Sequence, residues 1–359
     1  MAYFYKFPAV RGVQAKSEYY VCMVPMGILK NLFINTDNQV PPEYRAQRKL
    51  NEIRVPEISR YIIENRDSYV FSALAASIDG TLKFTLFGNS DDSLGMLEID
   101  MKSNILINDG QHRKAAILLA LEEDESLEDE TIPVVFFKDK GLIKSQQMFT
   151  DLNKHAITTS KSLNALYDSR DRSSIITKKV IKLIPFLNKY TDKEKDILGK
   201  YSSMLFTLNN FVNANKKIIK LNDNDDEMIE FLKEYWETVV FNISEWDSLE
   251  KKTITKTDLR ENYIVTQGVT ILALGELGEF IYKNNKDDFK QILVGLRNID
   301  WSRSNEKDWY GSAIKQNGRI NRTSLGITLT CIRIKKLLGI NLTSSEKIQL
   351  ERNRGYYGS

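Results

Sequence analysis

Hydrophobic positions fall into two regimes along the chain. Up to about residue 140 they form short runs bounded by turn residues. Between Glu18 and Leu29 the run EYYVCMVPMGIL is rich in β-formers and reads as a strand entering a loop. Pro41 and Pro42 end the preceding segment, and a helix can start after them in PPEYRAQRKLNEIR. In VPEISRYIIENRDSY, Pro56 takes a first-turn position and Ile58 and Ile62 share one helix face. The runs VFSALAASIDG and LKFTLFG meet at Asp79-Gly80, which predicts a hairpin. LGMLEID, NILIND and TIPVVFFKD (Thr131 to Asp139) predict further strands. The acidic run from Glu122 to Glu130 closes the helix that follows Gln111.

After Gly141 the spacing becomes helical. Leu142, Met148, Phe149 and Leu152 recur at helical intervals, and Phe149 and Leu152 are expected in a core. Helices are predicted over Ser160 to Asp168, Ile175 to Leu187, Tyr201 to Leu221, Glu227 to Ile243, Tyr263 to Lys283 and Asp287 to Leu296. The stripe Met228, Phe231, Leu232, Tyr235, Val239 is that of a packed amphipathic helix. These patterns predict an α+β chain: a mixed α/β domain over residues 1–140, then a mostly helical domain over 141–359 with a basic C-terminal segment.

Composition adds limits. Of 359 residues 42% are hydrophobic and 28% charged, the balance of a soluble globular protein. No apolar stretch is long enough to span a bilayer, and MAYFYKFPAVRG lacks a signal-peptide pattern, so a cytoplasmic protein is expected. Cys22 and Cys331 lie far apart in apolar runs and read as buried thiols; with only two histidines besides, a structural zinc site is disfavoured and no metal ligand is assigned. The net charge of +3 is unevenly placed. From Trp301 to Ser359 there are 11 Lys and Arg against 4 Asp and Glu, a segment near +7 on a remainder near −4. Such a segment suits contact with a polyanion, or simply a solvated surface.

The candidate chemistry concentrates in INDGQHRKAAILLAL, Ile107 to Leu121. A strand ends at Asp109-Gly110 and a helix follows at once. Gly110 permits a tight turn and close backbone approach. The first N–H groups of the helix have no intrahelical acceptor, and the helix dipole favours an anion there. Gln111, His112, Arg113 and Lys114 occupy that first turn, where cations oppose the dipole unless an anion sits among them. Arg113 could hold a phosphate bidentately, His112 could donate a hydrogen bond or move a proton, and Asp109 could cap the helix, accept a proton or help hold a divalent cation. The plainer alternative is that Asp109 is an N-cap and Arg113 pairs with the acidic run.

The string DGQHR followed by an Ala-rich helix resembles the DGQHR-domain family, and within it the DndB family of bacterial DNA phosphorothioation (DNA sulfur modification) systems. QRKLNEIRVPEISRYIIENRDSYVFSAL upstream, QMFTDLNKHAITTSKSLNALYDSRD downstream, and IDWSRSNEKDWYG with GRINRTSLGITLTCIRIKKLLG near the end resemble further parts of that pattern. The resemblance implies a ParB/sulfiredoxin-like core whose turn contacts nucleotide or DNA phosphate. It implies a DNA-binding repressor of a modification gene cluster. It also brings Asn153 and His155 near the turn, and Arg48 and Arg54 to the same phosphate pocket; the alternatives are a helix C-terminus and a solvated helix face.

In the C-terminal segment Trp301, Trp309 and Tyr310 interleave with Arg303, Lys307, Lys315, Arg319 and Arg322. Aromatics among cations suit nucleic acid by phosphate pairing and stacking; equally, the tryptophans could be core. Arg303, Lys315, Arg319 and Arg322 are the candidate DNA contacts. Two functions therefore stand, beside a plainer third, a protein-binding component of the modification complex in which the motif is a relic. One is a regulator on double-stranded DNA, working with other DNA-modification proteins and able to oligomerise. The other is a nucleotide hydrolase or nuclease using Asp109, His112 and His155, for which ATP with Mg²⁺ is the candidate cofactor. A P-loop ATPase is excluded, because no GxxxxGK[ST] motif is present.

Overall fold

Alternation of apolar and polar side chains builds the N-terminal half. It is seen in a computed structural model that describes residues 3–33, 53–88, 93–139, 141–154, 159–199, 202–284, 286 and 288–354. The chain divides into two compact units, Met1–Ile157 and Thr158–Ser359. The first contains β1 (Phe4–Gln14), β2 (Ser17–Pro25), α1 (Leu29–Leu32), α2 (Arg54–Glu64), β3 (Leu74–Asp79), β4 (Leu82–Leu86), β5 (Leu94–Asp100), β6 (Asn104–Asp109), α3 (Gln111–Glu123), β7 (Thr131–Lys138) and α4 (Leu142–Lys154). The strands form one mixed sheet in the order β4-β5-β1-β2-β7-β3-β6, antiparallel throughout except for the β3–β7 pair. Its apolar face carries Phe7, Val24, Ile78, Leu97, Ile107, Val134 and Phe136, and buries Ile62 of α2 and Ile117 of α3 in the same core.

Asp79-Gly80 does not make the expected hairpin. β3 pairs with β6 and β7, while β4 pairs with β5 at the other edge of the sheet. Gly80 has φ +149°, and a Cβ there would lie 2.9 Å from the Ser103 Cα, so this corner needs glycine for close approach of two chain segments. The two-residue hairpin lies instead between β1 and β2. Gln14 pairs with Ser17 across Ala15 and Lys16, which take φ of 49° and 60°. These are the positive angles that a tight hairpin turn demands. Strand β1 itself has no counterpart among the sequence-based elements. Of the α4 residues expected in a core, Phe149 is half-buried and Leu152 is exposed.

The second unit contains α5 (Lys161–Tyr167), α6 (Arg172–Leu183), α7 (Pro185–Tyr190), β8 (Thr191–Asp192), β9 (Phe206–Thr207), α8 (Leu208–Ile218), α9 (Asp225–Asn242), α10 (Ser244–Glu250), α11 (Lys256–Asn262), α12 (Gly268–Asn284), α13 (Phe289–Leu293), α14 (Glu306–Trp309), α15 (Ser324–Leu337) and α16 (Ser344–Arg354). The expected helix from Ile175 to Leu187 is two helices, because Pro185 starts a new one after extended Ile184. The expected helix from Tyr201 begins only at Leu208, after the short parallel pair β8–β9. The stripe on α9 is buried as its spacing requires. Asn224 caps that helix, its side chain accepting from the Asp226 and Glu227 N–H groups at 2.9 and 3.2 Å, ahead of an acidic first turn. At the far end the buried Lys335 of α15 binds Glu346 of α16 at 2.6 Å and lies 3.6 Å from the Phe280 ring centroid. Both cysteines are buried thiols. Among the described residues no helix is long and apolar enough to cross a membrane.

Candidate functional site

Strand β6 delivers the DGQHR turn to the start of α3. Gly110 occupies the N-cap in the left-handed conformation, with φ 100° and ψ 15°, and no side chain caps the helix. A Cβ at Gly110 would stand 2.3 Å from Leu74 Cδ2, so both the backbone angle and the space require glycine. Asp109 is therefore not the N-cap. Its carboxylate accepts from Arg113 Nη2 at 2.6 Å, an i,i+4 ion pair across the turn.

The Arg113 guanidinium is committed to protein acceptors. Nη1 donates to the Ser72 carbonyl and hydroxyl at 2.6 Å each and to the Ala73 carbonyl at 2.8 Å. Arg113 thus ties the approach to β3 to the first turn of α3, and it does not pair with the acidic run. That fork sets the shape of the turn. Gln111 folds back, its Nε2 donating to the Ile107 carbonyl at 3.5 Å. His112 is half-buried beside it. Lys114 is nearly covered, and burial holds its ammonium below the usual lysine range.

Asp109, Gly110, Gln111, His112 and Arg113 line a cavity of about 600 Å³ together with Arg54, Tyr61 and Phe149. Asn108 also lines it, and sequence reasoning passed over this residue. Asn108 is fully buried; its Oδ1 accepts from the Ser77 hydroxyl at 2.7 Å, while its Nδ2 has no partner. A buried amide donor without an acceptor is costly, so one beside a cavity asks for a ligand or water acceptor. The signal was available in sequence, since a polar Asn ending an apolar strand, directly before Asp-Gly, is out of pattern.

Other candidates are placed as follows. Arg54 opens α2 and is exposed on the cavity wall. Arg48 and His155 lie outside the described residues, as does the side chain of Asn153 in the last turn of α4. In the second unit Lys315 and Arg319 are exposed in one tight turn, closed by Lys315 N–H to the Arg319 carbonyl at 2.8 Å, with Gly318 at φ 73°. Arg303 is half-buried, donating to the carbonyls of Arg260 at 3.0 Å and Tyr263 at 3.4 Å; Arg322 is exposed. Trp301 and Trp309 form no stacking platform for bases. Both are fully buried and stack on each other at 5.3 Å between centroids, with their N–H groups donating to the Leu296 and Asp300 carbonyls.

Comparison with curated proteins and with solved structures finds no match. A family model does match, that of DndB, described as DNA-sulfur modification-associated, over residues 7–341. That span takes in the DGQHR turn and nearly the whole chain, and the chain therefore belongs to the DndB family, which is associated with DNA sulfur modification.

Proposed function

We propose that the protein is a DNA-binding regulator, a repressor of a DNA sulfur modification gene cluster, in which the Asn108–Arg113 turn binds a phosphate of DNA or nucleotide. The observation that carries this reading is the buried, unpartnered Asn108 Nδ2 beside the uncapped start of α3. Amide, backbone N–H groups and His112 supply donors for an anion, while Arg113 braces the turn that presents them. The ParB-like reading of the core rests on the same strand–turn–helix. The exposed pair Lys315 and Arg319 supports duplex contact through phosphates, which position without reading sequence. Other modification proteins and further copies of the chain are the expected partners.

Asn108→Asp nearly preserves shape but replaces the donor with a carboxylate. It is expected to weaken binding of a triphosphate nucleotide or of promoter DNA at least tenfold in a titration. Unchanged affinity in a folded variant would remove the turn from the reading. Hydrolysis of a bound nucleotide is the second reading, favoured by Asp109 and His112 facing one cavity. It requires that phosphate release with ATP and Mg²⁺ fall in His112→Ala, and equal rates would sink it.

A further inference from the structure

The second unit contains a cavity of its own, of about 410 Å³, a volume suited to a small ligand. Its floor is apolar, with Leu205, Leu272 and Ile327 among its residues. Its polar lining is unusual. Arg260, Arg303 and Arg322 all reach it from different parts of the chain. Of the two acids present, Asp196 is occupied, accepting from the Lys161 and Ser162 N–H groups at 2.8 Å and from the Ser162 hydroxyl at 2.9 Å. The other, Glu261, stands near Arg303 and offsets part of its burial.

The start of α12 opens on the same cavity through Gly268 and Val269, whose N–H groups precede the first intrahelical acceptor of this long helix. The Gln267 side chain lies beside it, its Nε2 donating to the Arg260 carbonyl at 3.2 Å. Two further groups point to a missing partner. Thr207 and Thr266 are 3% and 7% exposed, both line the cavity, and neither Oγ1 has a hydrogen-bond partner. The Arg260 guanidinium is occupied, donating to the Ser202 and Leu198 carbonyls at 3.4 and 3.3 Å. Two orphaned hydroxyls, the Arg303 and Arg322 guanidinium groups and the first N–H groups of α12 are the donors in this concavity that suit a compact anion.

We propose that this cavity binds a phosphomonoester, with the phosphate held by Arg322, Arg303 and the start of α12, and the attached group resting against Leu272 and Ile327 between the two threonine hydroxyls. The chemistry is shared by a free mononucleotide and by the 5′-phosphate at the end of a nucleic-acid strand. The cavity lies wholly within the second unit, so the proposal stands or falls separately from that for the DGQHR turn.

The full chain would be titrated with AMP, inorganic phosphate, and a short single strand carrying either a 5′-phosphate or a 5′-hydroxyl, reading heat and melting temperature. AMP is expected to bind saturably and raise the melting temperature. Arg322→Gln, an exposed change that leaves packing intact, is expected to weaken that binding at least tenfold. Thr266→Val is expected to weaken it severalfold while raising the melting temperature of the unliganded protein, since it removes an unsatisfied hydroxyl. Binding kept in His112→Ala and lost in Arg322→Gln supports the cavity; the reverse places the phosphate at the turn of the first unit and overturns the proposal. The 5′-phosphorylated strand binding where AMP does not would identify a strand end as the source. Equal binding of the 5′-hydroxyl strand, or no binding of any probe, would overturn the proposal and leave a water-filled cavity.

Discussion

Gly110 and Arg113 divide the work of one turn. Glycine alone tolerates φ 100° with Leu74 in the space that a Cβ would take, and the arginine locks the result by four hydrogen bonds. Gly110→Ala should cost about 2 kcal/mol of stability or more, from the strained angle together with the clash, read as a lower urea midpoint. Loss of phosphate binding should accompany it; an unchanged midpoint would mean that the turn relaxes without penalty. The pairing of Asp109 with Arg113 was within reach of sequence, because the two stand four apart, Asp first, at a helix start. The roles of the two tryptophans were not. Aromatics interleaved with cations look alike in sequence whether the rings face solvent or stack in a core, and only the surrounding carbonyls that take up the Trp301 and Trp309 N–H groups decide it.

Among elements, the β1–β2 hairpin turns on two residues poorly suited to their angles. Ala15 and Lys16 bear positive φ without the relief that Asn and Gly provide. Ala15→Asn combined with Lys16→Gly should therefore stabilise the first unit by about 1 kcal/mol, seen as a raised melting temperature. A fall would show that the strands, rather than the turn, set this conformation. The lack of a glycine also explains why the hairpin was illegible, whereas Asp79-Gly80 carried a strong signal for a corner of another kind. Periodicity gave the remaining strands and most helices well, but extended breaks such as Ile184 and the Phe206–Thr207 pair depend on partners distant in sequence. At the C-terminal end, burial pushes the Glu346 carboxyl up, but hydrogen bonds from Lys335 and from the Thr343 N–H and hydroxyl prevail and hold it below the usual glutamate range. A lowered folded value gives stability that is complete above the unfolded value near 4.5 and is lost as pH falls through the folded one. Glu346→Gln should loosen α16 at neutral pH by about 3 kcal/mol, measured by amide exchange in Ser344–Arg354, and should flatten the acid limb of the stability curve. Identical exchange in the two proteins would refute the latch.

Across the whole molecule, charge is segregated more than the net value of +3 suggests. The basic C-terminal segment does not act uniformly. Lys335 is paired with Glu346 and Arg303 is half-buried in the cavity lining of the second unit, with two of its nitrogens on backbone carbonyls, while Lys315 and Arg319 form an exposed pair on one turn. If that pair touches duplex phosphates, Lys315→Ala with Arg319→Ala should weaken DNA binding regardless of sequence. It should also reduce the slope of log affinity against log salt by about 2, one for each contact. An unaltered slope in a gel-shift series would move the interface elsewhere. None of the cavity in the second unit could be read from sequence, since its lining is gathered from Asp196 to Ile327 by the packing of helices.

The latch between α15 and α16 also bears on where the chain can be cut. The family match ends at residue 341, before α16 begins at Ser344. A protein shortened to that boundary would keep Lys335 over the Phe280 ring while losing the carboxylate that neutralises it. The limit of family likeness is thus not a limit of the folded unit. A fragment trimmed to it should lose solubility or yield, and one running through Arg354 should not.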